Sequence, residues 1–234
     1  MKNKLVVQFR GAYVLLLAIH LFSIVFGLGG VRMITKSLLL PLLIVYLIMA
    51  TGKSILENRF GKWAIAALLF SWWGDLLLMA DGTFFFLVGM LSFMLTHISN
   101  SRLLFMLQPI RISIYTGMGF VFALLAVLGF YVALKDSLGS FQLPVVIYMV
   151  LISFSLVMAF NLMNQADFRS TAVSFFIPGI GLFILSDAIL AFNKFLFQSP
   201  ATWDVWVMLS YGLAQWMITE GYRQVLRQPA AHLS

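Results

Sequence analysis

The chain has 234 residues, 62% hydrophobic and only 10% charged, with a mean hydropathy of +1.00. Soluble domains carry about 25% charged residues, so lipid is the solvent for most of this chain. Its length is expected to go into one polytopic membrane domain, 1–234, with no separate soluble domain. The absence of cysteine excludes disulfides, thiolate nucleophiles and Cys-based metal sites. His20, His97 and His232 lie too far apart for a metal-ligand spacing, so no metal is expected. The net charge of +7 comes from Lys and Arg scattered at span ends. That pattern anchors a membrane protein and argues against a nucleic-acid partner.

A helix crosses a bilayer with about 20 apolar residues. On that rule the chain is an all-α membrane protein with eight transmembrane helices, at 11–29, 33–51, 61–80, 84–106, 112–134, 143–162, 171–192 and 201–221. The runs are continuous, whereas barrel strands alternate, and backbone groups in lipid must be satisfied within each segment. The start, Met1-Lys2-Asn3-Lys4, has the charge of a secretory signal. The apolar run behind it is too long and lacks a small-x-small cleavage site, so it is expected to stay as the first span. Gly29-Gly30, Gly52, Asp81-Gly82, Gln108-Pro109, Gly139 and Ser199-Pro200 mark connections. Pro41, Pro144 and Pro178 fall where they start or kink a helix.

Lys and Arg set the expected orientation. Lys2, Lys4, Arg10, Lys53, Arg59, Lys62, Arg102, Arg111, Arg169, Arg223 and Arg227 fall on one side, and only Arg32, Lys36, Lys135 and Lys194 on the other. The positive-inside rule then places both termini in the cytoplasm, with the bacterial cytoplasmic (inner) membrane as the expected location.

Two aspartates lie inside apolar runs, in Ser71-Trp72-Trp73-Gly74-Asp75 and in Leu185-Ser186-Asp187-Ala188. An acid at such depth costs about 2.5–3.5 kcal/mol on insertion scales and is a functional hypothesis by default. Each precedes its predicted span end by five residues, which puts both carboxyls roughly 7–8 Å below the outer boundary at about 1.5 Å per residue. Lys36, three residues into the inward-running second span, reaches a similar level, and His97 lies half-way down the fourth. The likeness of the two aspartate segments suggests an internal repeat, with two parallel four-helix halves around a central site.

Two carboxyls and one amine sharing a dry pocket cannot all be charged cheaply, so the pair is expected to hold one proton beside an anionic partner. That is the arrangement needed for acid-catalysed cleavage of an acetal or enol ether. The bland alternative is a structural ion pair or trio. Lys36 is placed to bind a lipid phosphate as a point charge or simply to snorkel. His97, with Asn100 and Ser101 at i+3 and i+4 on its helix face, lines the same cavity or makes an interhelical hydrogen bond. Trp72, one turn before Asp75, is expected to wall the pocket. Tyr211 and Gln215 share a face of the last span and contact a ligand or bridge helices. His20, near Ser23, reads as packing. Asn161 and Asn164 lie too deep for the layer, and Glu220, at the cytoplasmic end, reads as solvated. Trp63, Trp203 and Trp206 fit a headgroup belt.

Thr35-Lys36 with Pro41-Leu42-Leu43, Gly74-Asp75, a histidine in the fourth span, Ser186-Asp187 with Leu190-Ala191, and Tyr211-Gly212-Leu213-Ala214-Gln215 together resemble the YhhN/TMEM86 family. The resemblance runs from the second span to the last. It implies a lysoplasmalogenase-like hydrolase that cleaves the vinyl ether bond of lysoplasmalogens to a fatty aldehyde and a glycerophospho-headgroup. It also implies that Asp75 and Asp187 are the catalytic pair. Ser37, where the family usually has proline, and Asn100, where a tyrosine is expected, depart from the pattern on the supposed pocket side.

The expected protein is therefore a hydrolase acting on a lysophospholipid among membrane lipids, with no metal or organic cofactor required. The rival class is a proton-coupled transporter or lipid-binding membrane protein using the same aspartates. An intramembrane aspartyl protease fits less well, because Trp72-Trp73-Gly74-Asp75 lacks the first glycine of a GxGD motif.

Overall fold

The structure is a computed structural model that describes residues 2–197 and 202–228, with side chains from Val6 to Phe197 and from Trp203 onward. The connection expected at Ser199-Pro200, the side chains of Lys2 and Lys4, and His232 lie outside the described residues. Among the described residues there is no strand. Eight long helices follow one another among these residues: α1 Lys2–Val25, α2 Gly29–Thr51, α3 Arg59–Leu77, α4 Thr83–Leu107, α5 Ile114–Leu134, α6 Gln142–Asn161, α7 Ala166–Phe197 and α8 Thr202–Arg227.

Punctuation follows backbone chemistry. Gly82 turns the chain into α4 at φ 113°, a conformation that side chains disfavour. The first connection comes four residues earlier than expected, at 26–28. Gly27 takes the positive φ of 66°, and Gly29-Gly30 open α2 instead of separating spans. In α7 the turn Ala172–Phe176 widens to π geometry just before Pro178. Proline has no N–H to give the preceding turn, and a wider turn accommodates that loss.

Six of the eight helices are long and apolar enough to cross a membrane, and α3 and α8 fall short on apolarity. The expected count of eight spans is therefore met by only six on this criterion. The reason is physical. These two helices turn Ser71, Asp75, Tyr211, Gln215, Thr219 and Glu220 into the protein interior, where all six side chains are buried.

α8 is the axis of the molecule. It packs on α7, α2, α1 and α3, while α4 lies against α3 and α6, and α6 against α5 and α7. α8 packs against the first three helices as well as α7, and the two four-helix halves suggested by the sequence are not confirmed by this packing. Close approach depends on small residues. A Cβ on Gly74 would lie 2.7 Å from the Phe93 ring, so glycine there lets α4 seat Phe93 directly beside Asp75.

Candidate functional site

The C-terminal end of α3 and the middle of α7 meet at one chamber of about 320 Å³. Asp75, Asp187, Lys36 and Tyr211 all line it, together with Arg32, Lys194 and Asp204. Four of the seven site residues expected from the sequence are thus brought together. α3 stops at Leu77, not at 80, and α7 continues to Phe197, five residues past its expected end. The extra π turn, Asn193–Phe197, carries Lys194 over the chamber.

The two acids have different surroundings. Asp75 is 3% exposed, has the Lys36 ammonium 3.8 Å from Oδ1, and accepts a 2.8 Å hydrogen bond from the Tyr211 hydroxyl on Oδ2. Asp187 accepts a short hydrogen bond from the Tyr148 hydroxyl. Asp187 also lines a second, narrow slot of about 60 Å³ between α4, α5, α6 and α7, whose remaining walls are apolar except for the Tyr148 hydroxyl. One carboxyl therefore sits among charges and the other at the boundary between charge and hydrocarbon. At the rim Arg32 pairs with Asp204 at 2.8 Å, and the Lys194 ammonium lies 4.3 Å from the centre of the Phe86 ring.

The other expected residues are placed elsewhere. His97 is fully buried behind Tyr148, whose hydroxyl is 3.4 Å from its Nε2, and its ring packs edge-on against Phe183 at 4.7 Å. It lines neither cavity. Trp72 does not line the chamber and donates its indole N–H to the Ser37 carbonyl at 2.9 Å, tying α3 to α2. Gln215 donates to Ser71 at 3.0 Å, and Ser71 in turn lies 3.1 Å from the Thr96 hydroxyl. Gln215 thus holds α8 to α3 one turn below the Tyr211–Asp75 bond and does not face the chamber.

Asn100 accepts a hydrogen bond from Tyr222, and Ser101 lies 2.9 Å from Ser155. The departure at Asn100 thus lies away from the site, as does that at Ser37, whose hydroxyl bonds back to Met33. His20 is paired through Nδ1 with Thr35 at 2.8 Å, while Ser23 bonds only to its carbonyl.

Glu220 overturns its expectation. Its side chain is 2% exposed and accepts hydrogen bonds from Arg10, Tyr46 and Arg223. A glutamate at a helix end reads as solvated until its partners arrive from α1 and α2.

Tyr148, Arg32, Lys194 and Asp204 were not singled out by the sequence. Depth arithmetic had a signal for Tyr148. It lies six residues into α6, about 9 Å at 1.5 Å per residue, which is the layer computed for the acids. Among the described residues no three His, Cys, Asp or Glu side chains gather as a metal-binding set.

A bundle with several bilayer-length apolar helices and a charged interior chamber defines a multi-pass helical membrane protein. Residues 31–222 match the model of the YhhN family, and the chain belongs to that family. No curated protein and no solved structure matches the chain.

Proposed function

We propose that this protein is an integral membrane hydrolase of the lysoplasmalogenase type, cleaving the vinyl ether bond of a single-chain ether lipid by acid catalysis. Family membership supports the class. The observation that carries the chemistry is the unequal pair of carboxyls on one chamber, with Asp75 beside an ammonium and Asp187 facing an apolar slot.

In this mechanism Asp187 donates its proton to the vinyl carbon remote from oxygen, and the double-bond electrons form the new C–H bond. The resulting oxocarbenium ion sits next to the Asp75 carboxylate, which stabilises it. Water adds to the cationic carbon and returns a proton to Asp187. The hemiacetal then collapses to a fatty aldehyde and the headgroup alcohol, with its hydroxyl proton ending on the departing oxygen. Substrate and one water are consumed, and no net proton. Lys36, Arg32 and Lys194 supply positive charge for the phosphate.

All eight helices span the bilayer in this reading, with both termini cytoplasmic and the chamber opening near the outer face of the cytoplasmic membrane. The Lys and Arg distribution supports that orientation. Polar side chains on α3 and α8 do not prevent spanning, because they face other helices and not lipid.

The test is aldehyde release from a lysoplasmalogen by purified protein. Asp75→Asn and Asp187→Asn should each lose about 10²–10⁴-fold in kcat, the usual size of a general acid contribution. Full activity in both variants overturns the mechanism. One contact favours the rival reading of a proton-coupled transporter: Asp187, Tyr148 and His97 form a file leading from the chamber into the bundle. Proton-coupled flux in liposomes without product formation decides for that reading.

A further inference from the structure

The chamber and the slot are not separate features. Leu78, Phe86, Phe93 and Leu190 line both, with Asp187 at the junction. At its far end the slot meets a third cavity, a groove of about 620 Å³ along the outer faces of α5 and α6. Phe130, Val145 and Met149 line both the slot and this groove, and each is less than a tenth exposed. They form a wall one side chain thick between the slot and a groove that also includes Leu128 and Leu143, 49% and 70% exposed. Exposed leucines on the outside of such a bundle face the hydrocarbon of the membrane.

A path therefore runs from charge, past a carboxyl, through hydrocarbon walls, to the lipid side of the molecule. An occupant that satisfies both ends must be charged at one end and apolar along its length. The slot holds about 60 Å³ against about 320 Å³ for the chamber, so as it stands it takes only the first few carbons of a chain, and a longer chain must displace the wall of Phe130, Val145 and Met149 into the groove. We propose that the slot is the alkyl-chain subsite of the hydrolase described above, and that Phe130, Val145 and Met149 decide which chain lengths it accepts. With the headgroup in the chamber and the chain in the slot, the bond joining them passes Asp187. This proposal rests on the lipid-hydrolase reading for its substrate and on the shared walls for its geometry.

The experiment uses the full chain in lipid nanodiscs with two probes. The first is a saturated 1-O-alkyl lysophosphatidylethanolamine with a diazirine at the chain terminus, which binds but has no vinyl ether to cleave. Photolabelling is expected on the segments around Phe130, Val145 and Met149. Labels confined to other faces, such as the α1–α2 groove beside Ala12 and Pro41, spread evenly around the bundle, or absent altogether overturn the subsite.

The second probe is a series of 1-alkenyl lysolipids from eight to eighteen carbons. Val145→Trp fills the slot and should lower the long-to-short ratio of kcat/KM by about tenfold, while Met149→Ala opens the wall and should raise it, in line with the worth of a methylene or two in an apolar pocket. An unchanged ratio in both variants also overturns the proposal. Circular dichroism of each variant shows whether it has folded, and the labelling map of the native chain stands if either has not. Slot labelling without aldehyde release supports the subsite and refutes the hydrolase. Aldehyde release with labels elsewhere does the reverse.

Discussion

Removing the Glu220 carboxylate tests whether the end of the bundle away from the chamber is held by charge. Arg10 Nη2 lies 2.8 Å from Oε1, Arg223 Nε lies 2.7 Å from Oε2, and the Tyr46 hydroxyl also bonds to Oε1. These donors come from α1, α8 and α2, so one side chain closes three helices. Deleting the carboxylate recovers its own desolvation, which offsets part of the lost attraction. What is left behind decides the sign. The Arg10 side chain is 39% exposed and can turn to water at little cost, but Arg223 is 13% exposed and Tyr46 is buried. Breaking a buried pair costs about 3–5 kcal/mol, and the freedom of Arg10 puts Glu220→Leu near 3. For a chain of this size about 1 kcal/mol moves Tm by roughly 2–4 °C, so a drop of about 6–12 °C is expected in detergent micelles by near-ultraviolet circular dichroism. Arg10→Gln, truncating the exposed partner, should lose under about a third of that. A Glu220→Leu protein melting within about 2 °C of the parent, or an Arg10 variant hurt more than the Glu220 variant, refutes the reasoning.

Three other outcomes follow from the same geometry. Tyr211→Phe takes away the hydroxyl that holds Asp75 and should reduce aldehyde release by about tenfold or more, since a hydrogen bond to a charged group contributes about 1.5–3 kcal/mol; steady-state kcat is the measurement. Gln215→Leu should cost about 1 kcal/mol of stability and change KM less than threefold, because Ser71 keeps Thr96 as a partner; a large rise in KM would instead make Gln215 a substrate contact. Gly74→Ala drives a methyl into Phe93 and should destabilise by about 1–3 kcal/mol, read as a lower Tm.

The acids were legible because a carboxyl in an apolar run has no cheap alternative explanation, and Lys36 followed from depth. Finer placement depended on facts no single helix contains. At 3.6 residues per turn, Ser71 and Trp72 lie about 40° and 60° from Asp75 on opposite flanks, so periodicity alone cannot say which one turns inward. α8 decides it by offering Gln215 to Ser71, leaving Trp72 to α2. Arg32 and Lys194 were legible only as loop charges fixing orientation, because a chamber mouth draws on helix ends that sequence order keeps far apart. Tyr148 went unnoticed because a tyrosine in a span is commonplace near an interface, and Glu220 because two of its three partners, Arg10 and Tyr46, come from α1 and α2, far away in sequence.

The same logic explains why the two least apolar helices are central to this protein. α3 and α8 meet through Tyr211 to Asp75 and, one turn deeper, Gln215 to Ser71. A rung every turn on each helix is the spacing at which antiparallel helices stay in register. Every polar group in that seam has a partner on the facing helix, which removes most of the desolvation cost that would otherwise expel it from the membrane. The seam also fixes the Asp75 carboxyl from below and beside, leaving its remaining side to Lys36 and the chamber. Asp187 has no such seam beneath it, only Tyr148 and the apolar slot. The two acids are thus an unequal pair, and the acid catalysis proposed above draws on that inequality, with Asp75 as the held anion and Asp187 as the proton carrier. Two acids in equivalent cages would hold the fold together equally well and give the substrate no direction.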